Sequence, residues 1–180
     1  PAQLAEIAVF GSAKEALAPD PMEIDTYKLE GTRNVAIGAK PTASSEYVDE
    51  GWGAANINDG VIGTNWTTDP RALDPVDAEA WIQLDMQADF VLRRVVLFPG
   101  GNFPSDFQIQ ISQDGKNFEM VAEQTGVNQP VTPVVIDLPE DTKGRYVRLY
   151  VTKRGSLKDP FLESYPAQLS EIAVFGSVSE

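Results

Sequence analysis

The chain has 180 residues, with 14 Lys and Arg against 27 Asp and Glu, for a formal net charge of −13. Nucleic acid and anionic membranes select a cationic footprint, so neither is an expected partner. Histidine and cysteine are absent, which excludes Ser-His and Cys-His catalysis, imidazole or thiolate metal ligation, and disulfides.

An apolar share of 42% is enough for a real core, suiting one domain with a little extra. Nothing at the start reads as a signal peptide, and no apolar run approaches the length of a membrane span. The first segment, PAQLAEIAVFGS at residues 1–12, returns as PAQLSEIAVFGS at 166–177, with eleven of twelve positions identical. Such a match is an internal repeat. The expectation is that residues 1–12 are the last strand of a preceding similar module, and that the chain begins inside a larger array. Exchange of the N-terminal copy for the C-terminal one, within a chain or between chains, is the alternative. Residues 13–33 read as a linker, because Pro19 and Pro21 stop any helical turn begun at Lys14–Ala18.

Next comes NINDGVIGTNW, Asn56–Trp66. Asp59-Gly60 is a tight-turn signal, and Thr64 follows shortly after. Such a turn can aim a carboxylate, a threonine oxygen and main-chain carbonyls at one small volume, the hard-oxygen environment of Ca²⁺. Beyond it the pattern is β. Phe107, Ile109 and Ile111 share one face of a strand, as do Ile82, Leu84 and Met86, then Val134, Ile136 and Leu138, then Val147, Leu149 and Val151. Arg93–Phe98, Glu119–Glu123 and Gln168–Phe175 add further strands. No long amphipathic helix is present, so the expected fold is all-β, an eight-stranded jelly-roll sandwich. Glu171 interrupts the otherwise apolar QLSEIAVFG. There it is either an exposed residue on an edge strand or a buried carboxylate that needs a cation or hydrogen bonds.

The ordered set carries a family resemblance. Its pieces are Asn34-Val-Ala, Thr42-Ala-Ser-Ser45, Ala55-Asn56-x-x-Asp59-Gly60-x-x-x-Thr64-x-Trp66 and Trp81-Ile-Gln-Leu-Asp85. They continue with Phe107-x-Ile-x-Ile-Ser112-x-Asp114-Gly115-x-x-Phe118, Arg145-Tyr-Val-Arg148-Leu and Gln168-Leu-x-Glu171-Ile-x-Val-x-Gly176. Over residues 34–177 the chain resembles the F5/8 type C (discoidin-like) family. Within it the chain is most similar to the family 32 carbohydrate-binding modules of bacterial glycoside hydrolases. The resemblance implies one structural Ca²⁺. Its ligands would be the Asn56 carbonyl, the Asp59 carboxylate, Thr64, the Ser170 carbonyl and the Glu171 carboxylate. Val61 stands where relatives often have a polar residue, so only its carbonyl could serve.

The resemblance further implies sugar binding in the loops at one end of the sandwich, by an aromatic platform with polar hydroxyl readers. Trp52 is the expected platform, Arg71 and Asn102 the readers, and Phe161 or Tyr165 a second apolar wall. Tyr47, Phe103, Asp49, Glu50 and Arg154 are further candidates in the same loops. For several a plainer role is open: Phe103 and Phe161 can pack loops, and Arg71 can pair with Asp69 or Asp74. The lack of histidine departs from galactose-reading relatives. Acidic loops favour a neutral or amine-bearing glycan over an acidic one. Two rival classes are weaker. Asp69, Asp74, Asp77 and Glu79 could supply a glycosidase carboxylate pair, but they lie in a Pro-punctuated loop. The stronger rival is a protein- or lipid-binding discoidin module. Lys153-Arg154 and Lys158 near Phe161 imitate the lipid-binding pattern, but a chain of charge −13 is repelled by anionic lipid. That leaves adhesion to a protein partner or a structural spacer as the alternative. The reading is therefore a non-catalytic module that targets a secreted or cell-surface bacterial glycoside hydrolase to its glycan.

Overall fold

The computed structural model describes residues 23–160 and 163–178. Nine strands appear in order: β1 (Arg33–Asn34), β2 (Lys40–Ala43), β3 (Trp66–Thr67), β4 (Ala80–Pro99), β5 (Asp106–Ser112), β6 (Glu119–Gln124), β7 (Val134–Asp137), β8 (Lys143–Lys153) and β9 (Gln168–Val178). All pairings among them are antiparallel. The only helical elements among the described residues are short 3₁₀ turns at Ile24–Tyr27, Val48–Glu50, Ala54–Asn58 and Pro70–Ala72.

The two strands expected around Trp81–Met86 and Arg93–Phe98 are halves of one strand of 20 residues, β4. Its register breaks between Asp85 and Phe90, where Gln87 takes φ 63°, and the halves then serve different sheets. The first half pairs with β2 and β8, while the second pairs with β7 and β9. One sheet thus runs β2-β4-β8-β5-β6 and the other contains β1, β3, β9, β4 and β7. Between them lies the main core. It holds the period-two faces expected from the sequence, including Ile82, Leu84, Phe107, Ile109, Val147, Leu149 and Val151.

The second sheet is covered on its outer side too. Val96, Phe98, Ala173 and Phe175 form a separate buried cluster against Ile24, Tyr27 and Ile62, with Tyr27 edge-on to Phe98 at 5.9 Å. The Arg94 guanidinium donates to the Tyr27 carbonyl at 2.9 Å. Burial on both faces explains why β9 reads as a nearly unbroken apolar run. Ile24 and Tyr27, in the later part of the segment 13–33 read as a linker, pack on the sandwich. Residues 1–12, which carry the repeated segment, and 13–22 lie outside the described residues.

Register places the loops. Ala80 opposes Val151, Ala43 opposes Ile82, Asp106 opposes Lys153 and Pro99 opposes Leu169. The segments 44–53, 68–79, 100–105, 154–160 and 163–167 therefore gather at one end of the sandwich.

Candidate recognition rim and cation-side turn

At that end the backbone first builds a small bracket. Tyr47 and Trp52 form an isolated antiparallel bridge around the Val48–Glu50 turn, and Gly51 closes the turn at φ 80°, a conformation glycine adopts without strain. The Tyr47 N–H donates to the Thr67 carbonyl at 3.0 Å and the Thr67 N–H to the Trp52 carbonyl at 3.2 Å, so the bracket is pinned to β3. The rings meet edge to face at 5.8 Å, and Trp52 stays 40% exposed.

Arg71 completes this cluster. Asp69 starts the Pro70–Ala72 turn by accepting the Arg71 N–H, and the turn returns the guanidinium over the Tyr47 ring at 4.8 Å. The Arg71 Nη1 contacts Asp49 at 2.7 Å, and its Nη2 contacts Asp69 at 2.8 Å. These hydrogen bonds hold the Asp69 carboxyl below its ordinary range and raise the guanidinium above its own, Asp69 being the main cause and Asp49 the next. Tyr47, Trp52 and Arg71, chosen separately from the sequence, thus meet. The pairing of Arg71 with Asp69 is observed and that with Asp74 is not.

Two other sequence candidates stand corrected. Asn102 is 5% exposed. Its side-chain amide donates to the Leu157 and Pro166 carbonyls, both at 2.7 Å, while its oxygen accepts the Leu157 N–H. Phe103 is fully buried and packs edge-on to Phe107 at 5.7 Å. Neither can touch a sugar on the intact fold; both hold loops together. Tyr165 is half-buried, with its N–H donating to the Asp74 carbonyl at 3.0 Å. Phe161 lies outside the described residues.

Arg154, another sequence candidate, is 2% exposed. It pairs with Asp74 at 2.7 Å and donates to the Ala78 and Tyr165 carbonyls and Thr68 Oγ1. Among the described residues two buried side-chain oxygens lack a hydrogen-bond partner, Thr67 Oγ1 and Ser164 Oγ. Both belong to this end of the molecule, whereas most buried polar groups in proteins are paired.

The cation-side turn lies along the flank of the second sheet. Gly60 takes φ 80°, which the turn at Asp59-Gly60 requires. Asp59 Oδ1 accepts the Val61 N–H at 2.8 Å. Thr64 Oγ1 sits 2.9 Å from Asp59 Oδ2 and 2.8 Å from the Val61 carbonyl oxygen. Glu171 opposes Phe98 in β9 and is 1% exposed, which removes the edge-strand alternative. Its Oε2 accepts the Gly60 N–H at 3.1 Å, so turn and strand are joined. Burial, with the Asp59 charge as a lesser cause, pushes the Glu171 carboxyl up to about 8.

Asn56 donates its side-chain amide to the Gly51 carbonyl at 2.7 Å and the Asn65 carbonyl at 2.8 Å, linking this turn to the Trp52 bracket. Ser170 Oγ lies 2.9 Å from Asn65 Oδ1 and 3.0 Å from the Pro99 carbonyl oxygen. Among the described residues no three Asp, Glu, His or Cys side chains cluster as metal ligands. The donors on this flank are two carboxylates, a hydroxyl and main-chain carbonyls, a set whose chemistry suits Ca²⁺.

Residues 40–162 match the F5/8 type C domain. The chain belongs to the F5/8 type C domain family. The match stops before β9, but the sandwich is complete only with β9 between β1 and β4. Among solved structures, the F5/8 type C fold of this chain is similar to chitosan-binding module 1 of a chitosanase/glucanase from Paenibacillus sp. IK-5, at 25% identity and TM-score 0.66. The likeness covers 80% of this chain and 99% of that one. Two Clostridium perfringens structures share the fold. The module CpGH89CBM32-5, in complex with GalNAc-β-1,3-galactose, is 22% identical with TM-score 0.66, covering 79% of this chain and 99% of the other. The family 32 module of NanJ, in complex with galactose, is 17% identical with TM-score 0.65, covering 80% and 98%. A search of curated proteins finds no match to the sequence.

Proposed function

We propose that this F5/8 type C domain is a non-catalytic carbohydrate-binding module that targets a secreted bacterial glycoside hydrolase to its glycan. The observation that carries the reading is the exposed Trp52, held edge-on by Tyr47 beside Arg71 at the loop end of the sandwich. An aromatic face of this kind stacks on the C–H surface of a pyranose, and neighbouring polar groups orient the ring. Similarity to a chitosan-binding module and to a module in complex with a galactose disaccharide supports the same reading. Weak capture of this sort concentrates a tethered enzyme at its substrate, and linked copies would multiply it. That no helix among the described residues is long and apolar enough to cross a membrane is compatible with a soluble accessory module.

The glycan is neutral or amine-bearing rather than acidic. Asp49 and Glu50 are exposed around Trp52, and the three donor atoms of Arg71 already contact Asp49 and Asp69. A polyanion would meet carboxylates there before it met a free cation. A structural Ca²⁺ belongs on the flank, held by the Asp59 and Glu171 carboxylates with Thr64 and the Asn56 and Ser170 carbonyls. It would supply charge neutralisation and a tie between turn and strand, and no catalysis.

The test is a glycan array containing chitosan oligosaccharides, neutral galactosides and sialylated chains, probed with wild type and W52A. Retention on neutral or amine-bearing sugars that W52A loses, with folding intact, is the expected result. Binding to none of them, with capture by a protein ligand instead, would replace the glycan reading with an adhesive one.

A further inference from the structure

The sequence offers Arg154 as a further sugar-binding candidate in the loops, but its surroundings give it other work. Its guanidinium is 2% exposed, so no sugar can reach it on the intact fold. Nη2 contacts Asp74 Oδ2 at 2.7 Å, Nε donates to the Ala78 carbonyl at 3.0 Å, and Nη1 donates to the Tyr165 carbonyl at 3.1 Å. The same Nη1 lies 3.3 Å from Thr68 Oγ1, which also accepts the Ala167 N–H at 3.0 Å. The Arg154 backbone N–H donates to the Val76 carbonyl at 2.7 Å. One side chain at the end of β8 therefore holds three segments: 74–79, which follows Arg71, the start of the Asp69 turn at Thr68, and 165–167, which enters β9. A planar fork of five N–H donors suits this distribution, and a lysine ammonium cannot reproduce it.

We infer that Arg154 is the positioning residue of the recognition rim, fixing the loop that presents Arg71 and the segment that presents Tyr165 without touching the glycan itself. The inference rests on the carbohydrate-binding reading and adds to it a cause for the rim's rigidity. Arg71 and Asp69 are exposed or half-buried, and their ion pairs are of the surface kind, which by themselves fix little. The start of the loop is also tied by the Asp69 N–H to Ser45 Oγ and by the Thr68 N–H to the Ala167 carbonyl. Arg154 adds a hold from the interior, and preordering of that kind raises affinity by lowering the entropy lost on binding. Asp74 and the carbonyls around Arg154 supply that interior hold.

The experiment uses R154A, R154K and D74N in the full chain, measured on chitosan oligosaccharides and on whichever array sugar binds wild type best. Two readouts are paired: affinity by calorimetry, and hydrogen exchange at the amides of 69–79 and 163–167. R154A is expected to weaken binding at least tenfold and to speed exchange in those two segments by a larger factor than in the 80–86 and 146–151 strands, which follow global stability. R154K recovers part of the loss, and methylguanidinium chloride recovers part of it in R154A, which a general loss of stability would not allow. Should R154A not fold, D74N gives the same pattern in smaller measure. R154A binding as tightly as wild type overturns the inference alone. So does R154A that loses binding while both segments stay protected. Wild type that binds no sugar fails the glycan reading itself and takes this inference with it.

Discussion

Two buried ionisable side chains sit at opposite ends of the same problem. Arg154 and Glu171 are 2% and 1% exposed, yet Arg154 has a carboxylate, a hydroxyl and carbonyls around it, while Glu171 accepts one backbone N–H and has Asp59 as an unfavourable neighbour. A buried ion is tolerated when its hydrogen-bonding capacity is met within the fold, and is otherwise costly. Arg154 is thus a closed piece of structure. Glu171 is the kind of group that an external cation would complete. The comparison separates what organises the rim from what a metal would organise on the flank.

The largest effect should come from breaking the closed site. R154M leaves Asp74 and several carbonyls without their partner, and is expected to lower stability by about 3 kcal/mol, read as a shifted urea midpoint with unchanged slope. Breaking the open site should look different. If Ca²⁺ binds, wild type gains about 2.7 kcal/mol at a hundredfold excess over Kd, seen as a rise in Tm that EDTA reverses. E171Q should lose that rise, yet be as stable as wild type or more so in EDTA, because it removes a buried carboxyl whose ionisation burial disfavours. A metal-loaded wild type whose Tm ignores EDTA would close the calcium proposal.

At the rim, W52A should abolish glycan retention with the domain still folded, at a cost of about 1 kcal/mol of stability, since the ring is 40% exposed and otherwise packs edge-on against Tyr47. The smallest effect is on the acid limb. Asp114 is held far below the ordinary carboxylate range by the Asn117 and Lys116 N–H groups, and Asp85 is lowered chiefly by the Arg145 guanidinium. A depressed folded-state pKa gives stability that is present above the unfolded value and lost as pH falls through the folded one. D114N and D85N should each flatten the loss of stability below pH ~4, and leave the pH dependence of wild type near neutral pH as it was.

Much of this architecture was legible from residues alone. Alternation in Phe107–Ser112 and Tyr146–Val151 marks strands because a pleated backbone sends successive side chains to opposite faces, and a half-buried sheet admits apolar groups on only one. Tyr47, Trp52 and Arg71 could each be picked out singly as loop aromatics and a loop arginine, but that they meet is a fact of the fold. Asn102, Phe103 and Arg154 were misread by the same rule. Each is a polar or aromatic residue in a loop of the right end, and nothing local says that other loops close over it. The signals available were slight: Gly155 beside Arg154, where an added Cβ would fall within 2.0 Å of Asn102 Oδ1, and Pro104 beside Phe103. Neither becomes meaningful until the loops are in place.

The sequence by itself determined the β class, the inward faces of the strands, the family, and the two acidic residues brought together on the flank. It could do so because period, turn chemistry and residue type act over a few positions at a time. Only the tertiary structure decided that β4 is one bent strand shared by two sheets, that Ile24 and Tyr27 cover the second sheet, and which loop side chains face solvent. Burial of a side chain depends on what packs over it from distant parts of the chain, and that is a property of the assembled fold rather than of any one segment.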